Sequence, residues 1–230
     1  MREVVLDTET TGFDPEGGDR IVEIGAVELL NHLPTGRTYH QYINPERAMP
    51  ADAFEVHGLG DEFLRDKPVF AKIGEAFLEF IGAAQLVIHN AAFDMKFLNA
   101  ELGWMGLSLI PSDRAVDTLA IARKKFPGSP ASLDALCRRF GIDNSARTLH
   151  GALLDSEILA EVYLELIGGR QPDLALAGTS ADIAGTGTQD EWRPRPRPKP
   201  LLSRLTKEEA TAHVAFIDGL GDGALWEKSG

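Results

Sequence analysis

The sequence predicts an α/β fold on a mixed five-stranded sheet flanked by helices, followed by a linker and a flexible C-terminal tail. Three observations predict it. Three strand-like segments follow one another with only turns between them, which suggests an antiparallel meander. The pattern then switches to helix, short apolar strand and helix, an alternation that needs crossovers and hence parallel pairing. After Gly169 the periodicity ends in a stretch rich in Gly, Ala, Thr and Pro.

The strands of the meander are residues 3 to 9 (EVVLDTE), 21 to 30 (IVEIGAVELL) and 37 to 43 (RTYHQYI), with GFDPEGGDR and NHLPTG as the turns. FAKIGEAFLEFIG (70 to 82) has helical amphipathic spacing, AQLVIHN (84 to 90) reads as a short buried strand and AAFDMKFLNAELGWM (91 to 105) as helix. RAVDTLAIARKKF (114 to 126) reads as a strand running into a helix and SLDALCRRFGI (132 to 142) as a helix. GALLDSEILAEVYLELIGG (151 to 169) is a long helix closed by glycines. Residues 171 to 200 are a linker by composition, and TKEEATAHVAFIDGL near the end of the tail reads as a short helix with Thr206 as N-cap. Thirty residues bury too little surface to fold alone, so the tail (201 to 230) is expected to fold on something else.

Composition excludes little. The 230 residues are 43% hydrophobic and 25% charged, as in ordinary globular proteins. No apolar run approaches the roughly 18 residues of a membrane span. The opening MREVVLDTET lacks the apolar core and cleavage site of a signal peptide, so a cytoplasmic protein is expected. Cys137 has no second cysteine to pair with and reads as a small core residue. The net charge of -12 argues against phosphate binding through surplus Lys and Arg, but not against binding through cations that carboxylates hold. Weak binding of polyanions by the isolated chain is expected from this balance.

The chemistry resides in acids that share a neighbourhood. Strand alternation puts Val5, Asp7 and Glu9 on one face and Val4, Leu6 and Thr8 on the other. Two like charges roughly 7 Å apart in a partly buried place repel unless one is protonated or a cation lies between them. A solvated strand end is the plain alternative. Asn90 is placed to cap a helix whose first turn holds Asp94, where the helix dipole favours an acid whatever its function. Asp155, Leu159, Val162 and Leu166 form one helical stripe, so Asp155 faces the core and needs a partner. His150 would lie about 140° away from it on a continuous helix, and is better placed on the loop before it.

Together, Asp-x-Glu on the first strand, Asp94 after the fourth strand and His-x4-Asp at the last helix resemble the three exonuclease motifs of the DEDDh family, the DnaQ-like branch of the ribonuclease H-like fold. DTETTG, VHGL, VIHNAAFD, SLDALCRRFGIDNSARTLHGALLD and EILAEVYL carry the resemblance, which covers residues 3 to 169 and points to the proofreading members of that family. It implies a 3′-to-5′ exonuclease domain over residues 1 to 170 that releases nucleoside 5′-monophosphates from DNA. It also implies that Asp7, Glu9, Asp94 and Asp155 hold two divalent cations, Mg²⁺ or Mn²⁺, and that His150 is the general base. Oxygen donors suit such hard ions, and no Cys/His cluster suggests zinc.

By the same resemblance ADAFEVHGL supplies Asp52 and His57 to contact the strand's end together with Thr8, Asp7, Glu9 and Asp155. Asp52 stands where the family has Glu, and either residue of the pair also suits a helix cap. Phe54 and Phe97 suit base stacking or the core. Gln171 to Leu176 (QPDLAL) is similar to peptides that dock on the bacterial sliding clamp, with a plain linker as the alternative. The final segment, with His213, Gly219 to Gly223 and Trp226, resembles the region that binds the catalytic (alpha) subunit of DNA polymerase III. RPRPRPKP reads as an extended spacer. An exoribonuclease trimming RNA 3′ ends and a non-catalytic polymerase scaffold are the competing readings.

Overall fold

A computed structural model describes residues 1–147, 149–169 and 205–220. The chain divides into two compact units, Met1–Leu176 and Ala177–Gly230. The first is built on a five-stranded sheet. Strand β1 (Arg2–Thr10) pairs antiparallel with β2 (Ile21–Leu30), which pairs antiparallel with β3 (Leu33–Tyr42). Helices α1 (Ala51–His57), α2 (Asp61–Leu64) and α3 (Phe70–Ile81) come next. They lead to β4 (Gln85–Ile88), α4 (Ala91–Trp104), β5 (Ala115–Asp117), α5 (Thr118–Lys125), α6 (Leu133–Phe140) and α7 (Ala152–Leu166). The sheet order is β3-β2-β1-β4-β5, with β4 parallel to both neighbours, so the expected mixed sheet is present.

The alternation of β1 builds two cores. Val4 and Leu6 face Phe70 and Phe77 of α3 and Phe97 and Leu98 of α4. Val5 faces the other way, onto Leu136 of α6 and Leu159, Val162 and Leu166 of α7. Each fully buried side chain of this size contributes about 1.5 to 3 kcal/mol, so the two layers fix the sheet between them and hold its ends rigid. Phe97 is thereby core, whereas Phe54 is 48% exposed.

Two local expectations are corrected. The turn after β2 is Asn31-His32 alone, with φ of 51° and 67°, so β3 begins four residues earlier than the hydrophobic pattern indicated. Two left-handed residues match the twist of a tight hairpin, and Pro34 is accommodated because β3 is an edge strand. Helices α1 and α2 lie where no periodicity was read, being only 7 and 4 residues long and starting without a side-chain cap.

Gly25 of β2 sits opposite Asp7 in the sheet and allows α7 to approach closely. A Cβ there would lie 2.1 Å from the backbone of Ala152 and Leu153. Ser156 Oγ donates to the Gly25 carbonyl at 2.9 Å, and Glu23 accepts from the Ala152 N–H at 3.2 Å, so β2 clamps the start of α7. Gly25→Ala is expected to lower stability by about 2 to 3 kcal/mol through backbone overpacking, measured by urea unfolding. Unchanged stability would show that α7 is not seated by this contact.

In the second unit, α8 (Lys207–Gly219) has Thr206 as its N-cap, as the sequence suggested, completed into a capping box by Glu209, and buries none of its residues. Val214 and Phe216 are 58% and 64% exposed. Gln171 to Leu176, the basic spacer, Gly221 to Gly223 and Trp226 lie outside the described residues. Among the described residues no helix is long and apolar enough to cross a membrane.

Candidate active site

The carboxyl end of β1, the start of α4 and the start of α7 meet at one place. Asp7 and Glu9 extend from β1 on its α7 side, and Asp94 reaches the same strand from the other side. Its Oδ1 accepts from the Thr8 N–H at 3.1 Å and from Thr8 Oγ1 at 2.7 Å. Thr8 is buried and ties the first strand to α4. Asn90 does not cap α4 with its side chain. It adopts a left-handed conformation between β4 and α4, which Asn tolerates, and its N–H donates to Asp117 Oδ1 at 3.1 Å.

Asp155 is buried in the first turn of α7. Its partner is Arg147, which donates from Nε to Oδ1 at 2.5 Å and from Nη2 to Oδ2 at 2.8 Å. Such a fork-to-carboxylate pair is among the strongest hydrogen-bonded arrangements side chains make. Sequence reasoning left this partner unnamed. A signal was present: Arg147 is the one Lys or Arg between residues 141 and 151, the segment that joins α6 to α7.

His150 precedes α7, as its spacing indicated, with half of its side chain exposed and Nδ1 3.5 Å from Asp155 Oδ2. Its N–H donates to the Val56 carbonyl at 3.1 Å, which fastens the loop to α1. His57, the last residue of α1, is buried; its Nδ1 accepts from the Leu59 N–H at 3.0 Å, and its ring adjoins the Thr10 carbonyl and His150. Asp52 is exposed in the first turn of α1 and forms no part of the cavity wall.

A cavity of about 500 Å³ opens here, and Asp7, Asn90, Arg147, His150 and Asp155 are among the residues that line it. The electrostatics are those of crowded acids. Burial, then Asp94, Glu9 and Asp155, hold the Asp7 carboxyl well above its ordinary range. Burial and the charges of Asp155, Glu23 and Asp94 push Glu9 up to about 8. Burial pushes Asp94 up to about 7 against the two hydrogen bonds from Thr8. Burial and Arg147 lower His150, which favours a neutral imidazole.

The residues present fit divalent cations. Oxygen atoms of Glu9 and Asp155 and a ring nitrogen of His150 come within 4.8 Å of one another. Glu9 Oε1 is buried without a hydrogen-bond partner, an arrangement that costs free energy unless a cation offsets it.

The family model for exonucleases matches residues 4–163. The DNA polymerase III epsilon subunit of Rickettsia felis is 49% identical over 223 residues, covering 96% of this chain and 97% of that protein. The epsilon subunit of Escherichia coli is 45% identical over 236 residues, covering 98% and 97%. The chain belongs to the DNA polymerase III epsilon subunit family. The chain is a 3′-to-5′ exonuclease. The expected ribonuclease H-like architecture agrees with solved DEDDh structures. The nuclease domain of 3'hExo bound to rAMP, a DEDDh family member, aligns with a TM-score of 0.60 at 21% identity, covering 72% of this chain and 91% of that one. Exonuclease X in complex with 5′ overhanging duplex DNA gives 0.55 at 24%, covering 71% and 90%. DEDDh exonucleases generally use divalent metal ions.

Proposed function

We propose that this epsilon-family chain excises the 3′-terminal nucleotide of DNA during replication, with Asp7, Glu9, Asp94 and Asp155 holding two divalent cations, Mg²⁺ or Mn²⁺. The observation that carries the assignment is the convergence of four carboxylates from β1, α4 and α7, several with raised proton affinity, with Thr8 bonded to Asp94 and Arg147 to Asp155. When bound, the ions lower the pKa of the attacking water and offset charge on the scissile phosphate and the leaving 3′ oxygen.

His150 performs the proton transfer. Its half-exposed ring at the cavity mouth is reachable by water, and its lowered pKa keeps the imidazole neutral, the form that accepts a proton. As the water oxygen bonds to phosphorus, its proton passes to His150, the bond to the 3′ oxygen breaks, and that oxygen leaves to take up a proton. The products are a nucleoside 5′-monophosphate and a shortened strand. Thr8, Asp52 and His57 seat the terminal nucleotide, the hydrogen bond from His150 to Val56 linking that seat to the base. Cavity residues offer no pattern that reads a base, so preference for mismatches follows from how readily an end unpairs.

Residues 1 to 170 form the exonuclease domain, 171 to 200 the linker with the clamp peptide at Gln171 to Leu176, and 201 to 230 the segment that binds the alpha subunit. The exposed Val214 and Phe216 of α8 support the last assignment, since such side chains gain by burial against a partner. A cytoplasmic location accords with replicative partners.

A 5′-labelled DNA primer, paired or mispaired at its 3′ end, is expected to shorten from that end with Mg²⁺ and not with EDTA, faster when mispaired. His150→Ala lowers the rate roughly 10²- to 10⁴-fold. Preferential shortening of an equivalent RNA would overturn the DNA assignment, and full activity of His150→Ala would remove His150 from the chemistry.

A further inference from the structure

We propose that Arg147 is a resident counter-cation of the carboxylate cluster, which divalent ions must displace from Asp155 to enter. This deepens the reading of Asp155 as a metal ligand and rests on it. Both oxygens of Asp155 are engaged, at 2.5 Å and 2.8 Å, by two adjacent nitrogens of one guanidinium. The pair is nearly closed to solvent, with Arg147 9% and Asp155 4% exposed. An ion at Asp155 therefore competes for lone pairs that are already used, and it also meets the repulsion of a fixed positive charge a few ångströms away.

The guanidinium does more than neutralise Asp155. Nη2 also lies 2.9 Å from His150 Nδ1 and 3.4 Å from Nε2, so the same group crowds both nitrogens of the imidazole. While Arg147 sits here, the metal-binding acid and the proposed base are both occupied by one side chain. It has somewhere to go. Nη1 donates to Asp134 Oδ1 at 3.0 Å, and Asp134, on α6, is 45% exposed and lies on the cavity wall. Asp134 is in turn held by Asn144 Nδ2 at 2.9 Å. Two acids thus share one arginine, the buried one inside the cluster and the exposed one outside it. Entry of ions moves the fork from Asp155 toward Asp134, which frees both Asp155 oxygens and His150 in one step.

The arrangement predicts that removing the cation improves metal binding, whereas loss of a merely structural arginine would impair it. Titration of Mn²⁺ into the full-length chain by calorimetry is expected to give a dissociation constant about tenfold lower for Arg147→Ala than for the wild type. Arg147→Lys keeps a charge but loses the two-pronged grip, and falls between them. The melting temperature of metal-free Arg147→Ala drops and is restored by Mn²⁺. Asp134→Asn weakens Mn²⁺ binding in the wild type, because Arg147 loses its outer anchor, and does so much less in Arg147→Ala. Equal or weaker Mn²⁺ binding by both Arg147 variants overturns the proposal. Failure of the underlying site assignment has a different signature: Asp155→Ala would then bind Mn²⁺ as tightly as the wild type.

Discussion

Asp7→Asn is expected to lower exonuclease activity by at least roughly 10³-fold, about 4 kcal/mol of barrier, and at the same time to raise the melting temperature of the metal-free protein. Opposite signs arise from one cause. Asp7 sits where burial and three neighbouring acids resist its ionisation, so the fold is stressed either by a buried charge or by a proton held well above the ordinary carboxyl range. Asn keeps the size and removes the charge. Each unit by which the carboxyl is raised corresponds to about 1.4 kcal/mol, and in a chain of this length each kcal/mol moves the melting temperature by about 2 to 4 °C. A rise in melting temperature, read by calorimetry in EDTA, is therefore expected. Adding Mn²⁺ reverses the order, because the wild type gains the ion and the variant does not. A variant that melts lower in EDTA, or that retains activity, would remove Asp7 from the metal cluster.

How much of this was legible beforehand depended on whether a residue's place was set by local periodicity. Alternation along β1 put Asp7 and Glu9 together because a strand's side chains must alternate, and tertiary packing has no freedom to change that. Asp155 was readable as a core-facing acid for the equivalent helical reason, and His150 as preceding the helix because a continuous helix would turn it away. The loop residues were not legible in this way. Arg147 reaches Asp155 through an irregular segment, where spacing in sequence says nothing about direction in space. Nor does periodicity reveal that Gly25 allows α7 to approach, since that contact spans more than 120 positions and depends on a missing side chain. Asn90 shows the converse. Its type and position suited a cap, but the same tolerance of left-handed backbone that makes Asn common at caps lets it form the turn itself.

The metal-free protein is expected to lose stability as pH rises from about 6.5 to 8.5, opposite to the behaviour of a protein stabilised by ion-paired acids. Glu9 is pushed up from 4.5 to about 8 and Asp94 from 3.8 to about 7, with Asp7 raised as well. The unfolded chain has released these protons by neutral pH, so the folded state binds more of them across this window. Stability must then fall as the pH passes through the folded values. Below about 6.5 the lowered His57, His89 and His150 act in the other direction, because they resist protons that the unfolded chain takes up. The upper window is thus where the acids act alone among these groups. One extra proton held by the folded state costs about 1.4 kcal/mol per pH unit as the pH rises, so a fall of roughly 6 to 11 °C in melting temperature is expected between the two ends. Divalent ions reverse this, since ligation needs the carboxylates ionised. At a hundredfold excess over its dissociation constant Mn²⁺ adds about 2.7 kcal/mol, so its stabilising effect grows with pH and flattens the decline. Melting curves at pH 6.5, 7.5 and 8.5 with EDTA or Mn²⁺ test both halves. A metal-free profile that is flat or rising, with Glu9→Gln leaving it unchanged, would mean that the acids are satisfied within the fold and that no cation is needed to settle them.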